Sequence, residues 1–99
     1  MRPTHCLLLL AFVLCMPLAH AEQRVRVGAY HFPPYVVKPE STAPGGLLPE
    51  LLAALNQSQQ DYRFDLVPTS VTRRYRDLQQ ARYDMILFES PDWGWQNIP

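Results

Sequence analysis

The chain has 99 residues, with nine basic and nine acidic side chains, so its formal net charge is zero. Such a balance gives no support for binding to nucleic acid or to an anionic membrane surface, both of which favour a basic excess. Both cysteines, Cys6 and Cys15, lie close to the N-terminus, so a disulfide or a thiolate metal site is excluded from residues 22–99.

The first 21 residues have the order of a secretory signal peptide. Arg2 gives a charged start, an unbroken apolar run extends from Cys6 to Met16, and Ala19-His20-Ala21 supplies small residues for a cleavage site. The apolar run is too short to span a bilayer, which needs about 20 residues. We therefore expect cleavage after Ala21, export to the periplasm, and a mature chain of residues 22–99 that forms at most one small domain.

Alternating polar and apolar residues predict a first strand from Arg24 to Ala29. The segment His31–Tyr35 ends this strand, because its consecutive prolines fix φ and remove two backbone donors. Phe32 and Tyr35 in this stiff loop either fill the core or act as platforms on which an apolar or cationic group of a ligand stacks. We favour the platform role for Phe32.

A first helix is predicted from Leu47 to about Asn56–Ser58, because leucines recur there at helical spacing. Pro49 is tolerated in the first turn of a helix, where its missing N–H has no partner. The run from Tyr62 to Val67 alternates again and predicts a second strand, which Pro68 ends.

Thr69 or Ser70 can cap a second helix, and the spacing of Val71, Tyr75 and Leu78 predicts its apolar face. A cluster of basic residues on a helix usually forms a solvated face. We therefore expect three arginines to point to solvent: Arg73, Arg74 and Arg76.

The run Tyr83–Phe88 predicts a third strand, and its continuous apolar stretch from Met85 indicates burial on both faces. Strands that alternate with helices predict an α/β fold, here a short parallel three-stranded sheet flanked by helices. Ligands of such sheets bind beyond the carboxyl ends of the strands. Three segments are expected at that edge: 30–35, 68–71 and 89–95. In the last of them, Trp93 and Trp95 either line a pocket or cover the sheet edge, and we expect only one to face the cleft.

Residues 22–99 contain no pattern that indicates catalysis or metal binding. His31 is the one histidine of this part, Ser90 lacks the context of an activated nucleophile, and Asp84 and Glu89 are expected to face different sides. Acid–base catalysis needs a pair with defined mutual geometry. We therefore expect a protein that is not an enzyme and that uses no cofactor or metal.

Four stretches of the sequence together resemble family 3 of the bacterial extracellular solute-binding proteins, the periplasmic components of polar amino-acid uptake systems. The stretches are Val25–Gly28 leading into Phe32-Pro33-Pro34-Tyr35, Gly46–Leu55, Phe64–Pro68, and Arg76–Ile86. No single motif is strong, and the resemblance rests on their order and spacing across nearly all of residues 22–99.

The resemblance implies a partial first lobe of the periplasmic-binding-protein type II fold, from a two-lobed clamp that closes on a small solute by hinge motion. It implies a monomeric binding module that delivers its solute to the membrane permease of an ABC transporter. A sensory input domain, or a fragment of a dehydratase-like or lytic transglycosylase-linked enzyme, has the same fold, and fold alone does not decide between these functions.

The resemblance also implies where the solute is contacted. Its positions in this chain are Phe32 in the aromatic loop, Val71 at the second helix, and Phe88, Glu89 and Ser90 after the third strand. Tyr30 and Trp93, which the strand order places at the same edge, complete the predicted ligand-binding set.

Two departures from the family pattern bear on the solute. Gln96 stands where the family has an arginine that holds an α-carboxylate, and Glu89 replaces a neutral donor. Because two facing carboxylates repel each other, we expect a cationic, aromatic or otherwise unusual solute in place of a free α-amino acid.

Length is a third departure, since family members are several times longer and have a second lobe. We expect a truncated product or a fragment, with an unpaired sheet edge and marginal stability. Because burial of a solute needs two walls, these residues alone are expected to bind it weakly or not at all.

Overall fold

The computed structural model describes residues 21–98. The predicted signal peptide lies outside this range, apart from Ala21. Three strands and two helices follow in the order β1 (Gln23–Ala29), α1 (Leu47–Ser58), β2 (Tyr62–Pro68), α2 (Arg74–Gln79) and β3 (Met85–Ile86), with a short 3-10 turn at Trp95–Asn97. The predicted α/β class, with a three-stranded parallel sheet and two helices, is confirmed.

The sheet has the strand order β2-β1-β3, and both pairings are parallel. β1 is the central strand, with Ala29 opposite Pro68 of β2 and Gly28 opposite Ile86 of β3. Its side chains alternate between two covered faces, as a pleated strand requires. As a result, all three strands end at the same edge of the sheet.

One face of the sheet packs against α1. Leu48 and Leu52 are buried against Val27, Ala29 and Val36 and form the core of the described chain. The predicted leucine stripe is thus confirmed at these two positions, but it is wrong for Leu47 and Leu51, which are exposed. In addition, the side chain of Asn56 joins the helix to β2, because its amide accepts a hydrogen bond from the Phe64 N–H at 2.8 Å and donates one to the Phe64 carbonyl at 2.9 Å.

The first turn of α1 is capped by the diproline loop. The amides of Leu47 and Leu48 donate to the carbonyls of Pro34 and Tyr35 at 3.2 and 2.8 Å. Gly46 precedes the helix with φ at 97°, and a Cβ there would lie 2.6 Å from the Tyr35 carbonyl oxygen. Glycine is therefore required for the loop and the helix to approach so closely.

The other face of β1 is covered by Tyr83. Its ring lies beneath Gly28, where an added Cβ would be 2.8 Å from three ring atoms, and its hydroxyl donates to the Arg74 carbonyl. Next to it, Arg26 donates from its side chain to Asp84 at 3.0 Å and 3.3 Å. These hydrogen bonds lower the pKa of the Asp84 carboxyl and raise the pKa of Arg26.

β3 is shorter than predicted, and the expected burial on both of its faces is wrong for Met85, which is exposed. Within residues 21–98 this strand is an edge of the sheet and pairs with β1 alone. The chain leaves the strand direction soon after Ile86, because Phe88 adopts the left-handed conformation with φ at 62°.

α2 buries a different face from the one predicted. Its buried residues are Arg74 and Asp77, whereas Val71 is exposed and lies in a turn before the helix. The prediction of a solvated arginine face is therefore wrong for Arg74 but agrees with the exposure of Arg73 and Arg76. Arg74 is buried with the oppositely charged Glu89 as its partner. Asp77 Oδ2 accepts a hydrogen bond from Thr69, whereas Asp77 Oδ1 accepts none and lies 3.8 Å from Arg82 Nε.

Two hydroxyl side chains precede α2. The Thr69 hydroxyl donates to Asp77 Oδ2 at 2.8 Å, and Ser70 Oγ accepts a hydrogen bond from the Arg73 amide at 3.0 Å. Ser70 thus stabilises the turn that leads into the helix. The N-cap itself is Arg73, which makes no side-chain cap hydrogen bond, so the predicted cap at Thr69 or Ser70 is wrong. Among residues 21–98, none of the helices has the length and apolarity needed to cross a membrane.

Candidate functional site

The candidate site lies where the three parallel strands end, at what we call the carboxyl edge. The Thr69 amide, just after β2, donates to the carbonyl of Ala29, the last residue of β1, at 2.8 Å. The segments that leave the strands are therefore neighbours in space, as expected for a parallel sheet. They begin at Tyr30, Thr69 and Leu87.

Glu89 lies in the middle of the carboxyl edge and accepts hydrogen bonds from three side chains. Arg74 Nε donates to Oε1 at 2.5 Å, the Tyr30 hydroxyl to Oε2 at 2.6 Å, and Trp95 Nε1 to Oε1 at 3.1 Å. The Arg74 and Glu89 side chains are only 6% and 8% exposed, so they form a buried ion pair. Both charges are satisfied inside the protein, which is the condition under which charges are found buried.

Aromatic rings surround the guanidinium of Arg74. Its Cζ lies 4.4 Å from the ring centroid of Tyr75, 5.3 Å from that of Tyr30 and 6.0 Å from that of Trp95. A cation near ring faces at these distances is attracted by their quadrupoles. Nη1 of the same guanidinium donates to the Val71 carbonyl. The arginine is thus held from several sides.

Beside the ion pair, a group of aromatic side chains forms what we call the aromatic rim: Tyr30, Phe32, Tyr35, Phe88 and Trp93. Phe32 is central to it, with its ring centroid 5.7 Å from that of Tyr30, 5.2 Å from that of Tyr35 and 6.2 Å from that of Trp93. Tyr35 in turn stacks on Phe88 at 4.7 Å. The aromatic loop and the segment after β3 therefore share one surface.

The diproline loop that carries Phe32 is held by its own backbone. Phe32 and Val36 exchange hydrogen bonds of 2.8 and 3.0 Å, and Val37 and Gly45 exchange bonds of 2.8 and 2.9 Å. The peptide bond between Pro33 and Pro34 is cis. The hydrogen bonds of this loop fix the position from which the Phe32 ring projects.

The structure brings four residues of the predicted ligand-binding set directly together: Tyr30, Phe32, Glu89 and Trp93. The other three residues of the set make different contacts. Phe88 packs on Tyr35, the exposed Val71 contributes its carbonyl to Arg74, and Ser90 Oγ accepts a hydrogen bond from the Asp92 amide at 3.3 Å in a tight turn. Glu89 itself has its carboxylate occupied by three internal donors, so its repulsion of a solute carboxylate, expected from the sequence, is offset by Arg74.

The rim encloses little space of its own. A cavity between the rim and the core, bounded by Phe32, Phe88 and Leu48 among others, has a volume of about 10 Å³, whereas drug-sized ligands occupy roughly 300–1,000 Å³. A larger groove of about 460 Å³ lies away from the rim, between α1 and β2, and includes Leu52 and Phe64. A solute at the rim would therefore contact an open surface formed by one wall.

Two buried phenols next to the ion pair have raised pKa values. Burial raises the pKa of Tyr30 to about 12, and its hydrogen bond to the Glu89 carboxylate acts in the same direction. Burial raises the pKa of Tyr83 to about 12 as well, followed by the negative charges of Asp77 and Glu89. Both phenols are consequently protonated at neutral pH and can act as donors.

The sequence did not reveal that Arg74 belongs to the site, and it left open which of Trp93 and Trp95 faces it. Trp95 turns inward to Glu89 and lies 4.6 Å from the Tyr75 ring, while Trp93 lies at the rim. A usable signal was present, because Glu89 follows an apolar strand at the carboxyl edge and a carboxylate in that place requires a cation. Arg73, Arg74 and Arg76, all near the end of β2, were available, and the sequence did not choose among them.

No group of three or more His, Cys, Asp or Glu side chains within residues 21–98 is arranged to hold a metal ion. No protein-family model matches the chain, and neither a curated protein nor a solved structure matches it. The resemblance to solute-binding proteins is therefore carried by the residues quoted for it alone.

Proposed function

We propose that this protein is a periplasmic solute-binding module, built as a partial first lobe of the periplasmic-binding-protein type II fold. It would serve small-molecule uptake through the permease of an ABC transporter. The observation that carries the proposal is that the aromatic loop after β1 and the segment after β3 meet at the carboxyl edge, where Phe32 and Trp93 have ring centroids 6.2 Å apart. This edge is the usual ligand position of a parallel α/β sheet.

The open form of the rim supports a one-wall role. In a clamp, each lobe supplies one wall and the solute is buried only when both close on it. Trp93 of the rim is 45% exposed, and the rim does not surround a cavity of solute size. A second lobe would complete the enclosure, and residues 21–98 by themselves should bind a solute only weakly.

The chemistry of the rim favours a flat aromatic or a cationic solute. Phe32 and Trp93 offer aromatic faces for stacking or for cation–π contact. The carboxylate of Glu89 adds no free negative charge, because Arg74 neutralises it. Any attraction for a cation therefore comes from the rings.

The proposal is tested by titration calorimetry of the full chain with benzylammonium, an aromatic cation, and with the standard amino acids. We expect weak binding of benzylammonium, in the millimolar range or above, since one wall cannot bury it. Trp93→Ala should abolish this binding, because it removes an exposed platform of the rim.

The matched control is Tyr62→Ala. Tyr62 is an aromatic side chain of similar exposure, 47% against 45% for Trp93, but it begins β2 at the opposite end of the sheet. Equal loss of binding in both variants would remove the rim as the binding surface. Tight binding of a free amino acid through its carboxylate would contradict the proposed solute class.

Export is tested separately. We expect that the protein expressed in a Gram-negative host is recovered from the periplasm with Glu22 as its first residue, as cleavage after Ala21 requires. Recovery of the uncleaved chain from the cytoplasm would contradict the periplasmic role.

A further inference from the structure

Three hydrogen-bond donors from separate parts of the chain converge on one place at the carboxyl edge. They are Tyr30 directly after β1, Arg74 at the start of α2, and Trp95 in the 3-10 turn. Each donates to the same carboxylate, at 2.6, 2.5 and 3.1 Å respectively. A cation together with two neutral donors is the arrangement that proteins use to bind a carboxylate.

The carboxylate that fills this place belongs to the chain itself. Glu89 reaches it from the segment after β3, and its side chain is 8% exposed. Burial without a partner would be unfavourable for either charge, so the Arg74 guanidinium needs an anion whenever the site is closed to water. Glu89 supplies that anion in the structure, which leaves no room for a second one.

We propose that Tyr30, Arg74 and Trp95 form a carboxylate-binding site whose built-in occupant is Glu89, and that Glu89 thereby keeps solute carboxylates away from the aromatic rim. The second half of this proposal rests on the proposed solute-binding function, whereas the first half stands on the geometry alone. On this view Glu89 determines specificity. It excludes solutes that carry a carboxylate, because it occupies the three donors that would bind that carboxylate, and Arg74 neutralises its own charge.

The site is tested by replacing the occupant with a free molecule. Glu89→Ala removes Cγ and the carboxylate, and acetate has the same two carbon and two oxygen atoms. We expect Glu89→Ala to lower the Tm, and acetate to raise it again beyond any effect of chloride at equal ionic strength. Acetate at ten times its Kd should raise the Tm of a domain of this size by roughly 5–10 °C. The wild-type chain should respond equally to acetate and chloride.

Two variants show whether the response comes from the proposed donors. In Glu89→Gln the side chain still fills the space, so acetate should have no more effect than chloride. In the double variant Arg74→Met with Glu89→Ala the cation is absent, and the response to acetate should disappear. If Glu89→Ala is unfolded in chloride, acetate should restore its far-UV circular dichroism. If acetate neither raises the Tm of a folded Glu89→Ala variant nor restores the circular dichroism of an unfolded one, the proposed carboxylate site is wrong.

The effect on solute choice is measured with benzoate, an aromatic carboxylate that could contact both the rim and Arg74. We expect Glu89→Ala to bind benzoate at least tenfold more tightly than the wild-type chain does. Equal affinity would overturn the specificity role of Glu89. The two proposals can fail separately. Rescue by acetate without any solute binding would support the carboxylate site and contradict the solute-binding function. Solute binding at the rim without rescue by acetate would support the solute-binding function and contradict the carboxylate site.

Discussion

Replacement of Gly28 by alanine should destabilise the fold by about 1–3 kcal/mol. An alanine Cβ at this position lies 2.8 Å from Cγ, Cδ1 and Cδ2 of Tyr83, whereas ordinary contacts begin at 3.4 Å. Overpacking of this kind costs about 1–3 kcal/mol. If the ring moves away instead, its buried hydroxyl loses the Arg74 carbonyl, which costs about 1–3 kcal/mol.

The measurement is urea or thermal unfolding followed by circular dichroism. A loss of this size lowers the Tm by roughly 5–20 °C in a domain of under 100 residues. Gly45→Ala is the matched control, because its Cβ would meet only the Val37 Cβ at 3.6 Å and its φ is not positive. That variant should stay within about 0.5 kcal/mol of the wild-type chain. If Gly28→Ala were as stable as Gly45→Ala, Tyr83 could not lie against β1 as described.

Two further predictions concern side chains around the sheet. The free energy of unfolding should fall as the pH rises from 10 to 12, by up to roughly 3 kcal/mol for each buried phenol. The reason is that tyrosines of the unfolded chain lose their protons near the ordinary pKa of 10.0, whereas the folded-state pKa values of Tyr30 and Tyr83 are about 12. Tyr83→Phe should make this decline shallower in urea titrations at each pH, and an unchanged slope would count against the buried phenol. Asn56→Ala should lower the free energy of unfolding by about 1–3 kcal/mol, since it removes both hydrogen bonds to Phe64. Gln57→Ala, on the exposed side of α1, should lower it by under about 0.5 kcal/mol. Equal losses for the two variants in urea unfolding would contradict the link between α1 and β2.

Elements whose burial is decided within a short stretch of chain were predictable from the sequence. β1, α1 and β2 have clear periods, and their predicted bounds differ from the structure by a residue or so. α2 was not predictable in this way. Its buried side chains, Arg74 and Asp77, are charged; Glu89 pairs with Arg74, and Thr69 donates to Oδ2 of Asp77. Periodicity of apolar residues carries no information about such pairing.

The place of the candidate site followed from topology, whereas its chemistry did not. Parallel strands end at one edge, so the sequence was enough to predict that Phe32 and Glu89 lie near each other. The state of Glu89 depends on a partner fifteen residues earlier in the chain, and without that partner the carboxylate was interpreted as free and repulsive. The proposed exclusion of solute carboxylates is the same in both interpretations, but its proposed cause changes from repulsion to occupancy.

The capping of α1 by the diproline loop links two parts of the molecule that are usually independent. The amides of Leu47 and Leu48 are protected from exchange with solvent only while the carbonyls of Pro34 and Tyr35 stay in place. Any event that displaces Phe32 by moving its loop must therefore expose the start of this helix. Hydrogen exchange at the Leu48 amide should therefore respond when contact at the aromatic rim moves the Phe32 loop. Leu48 is buried and is not itself part of the rim.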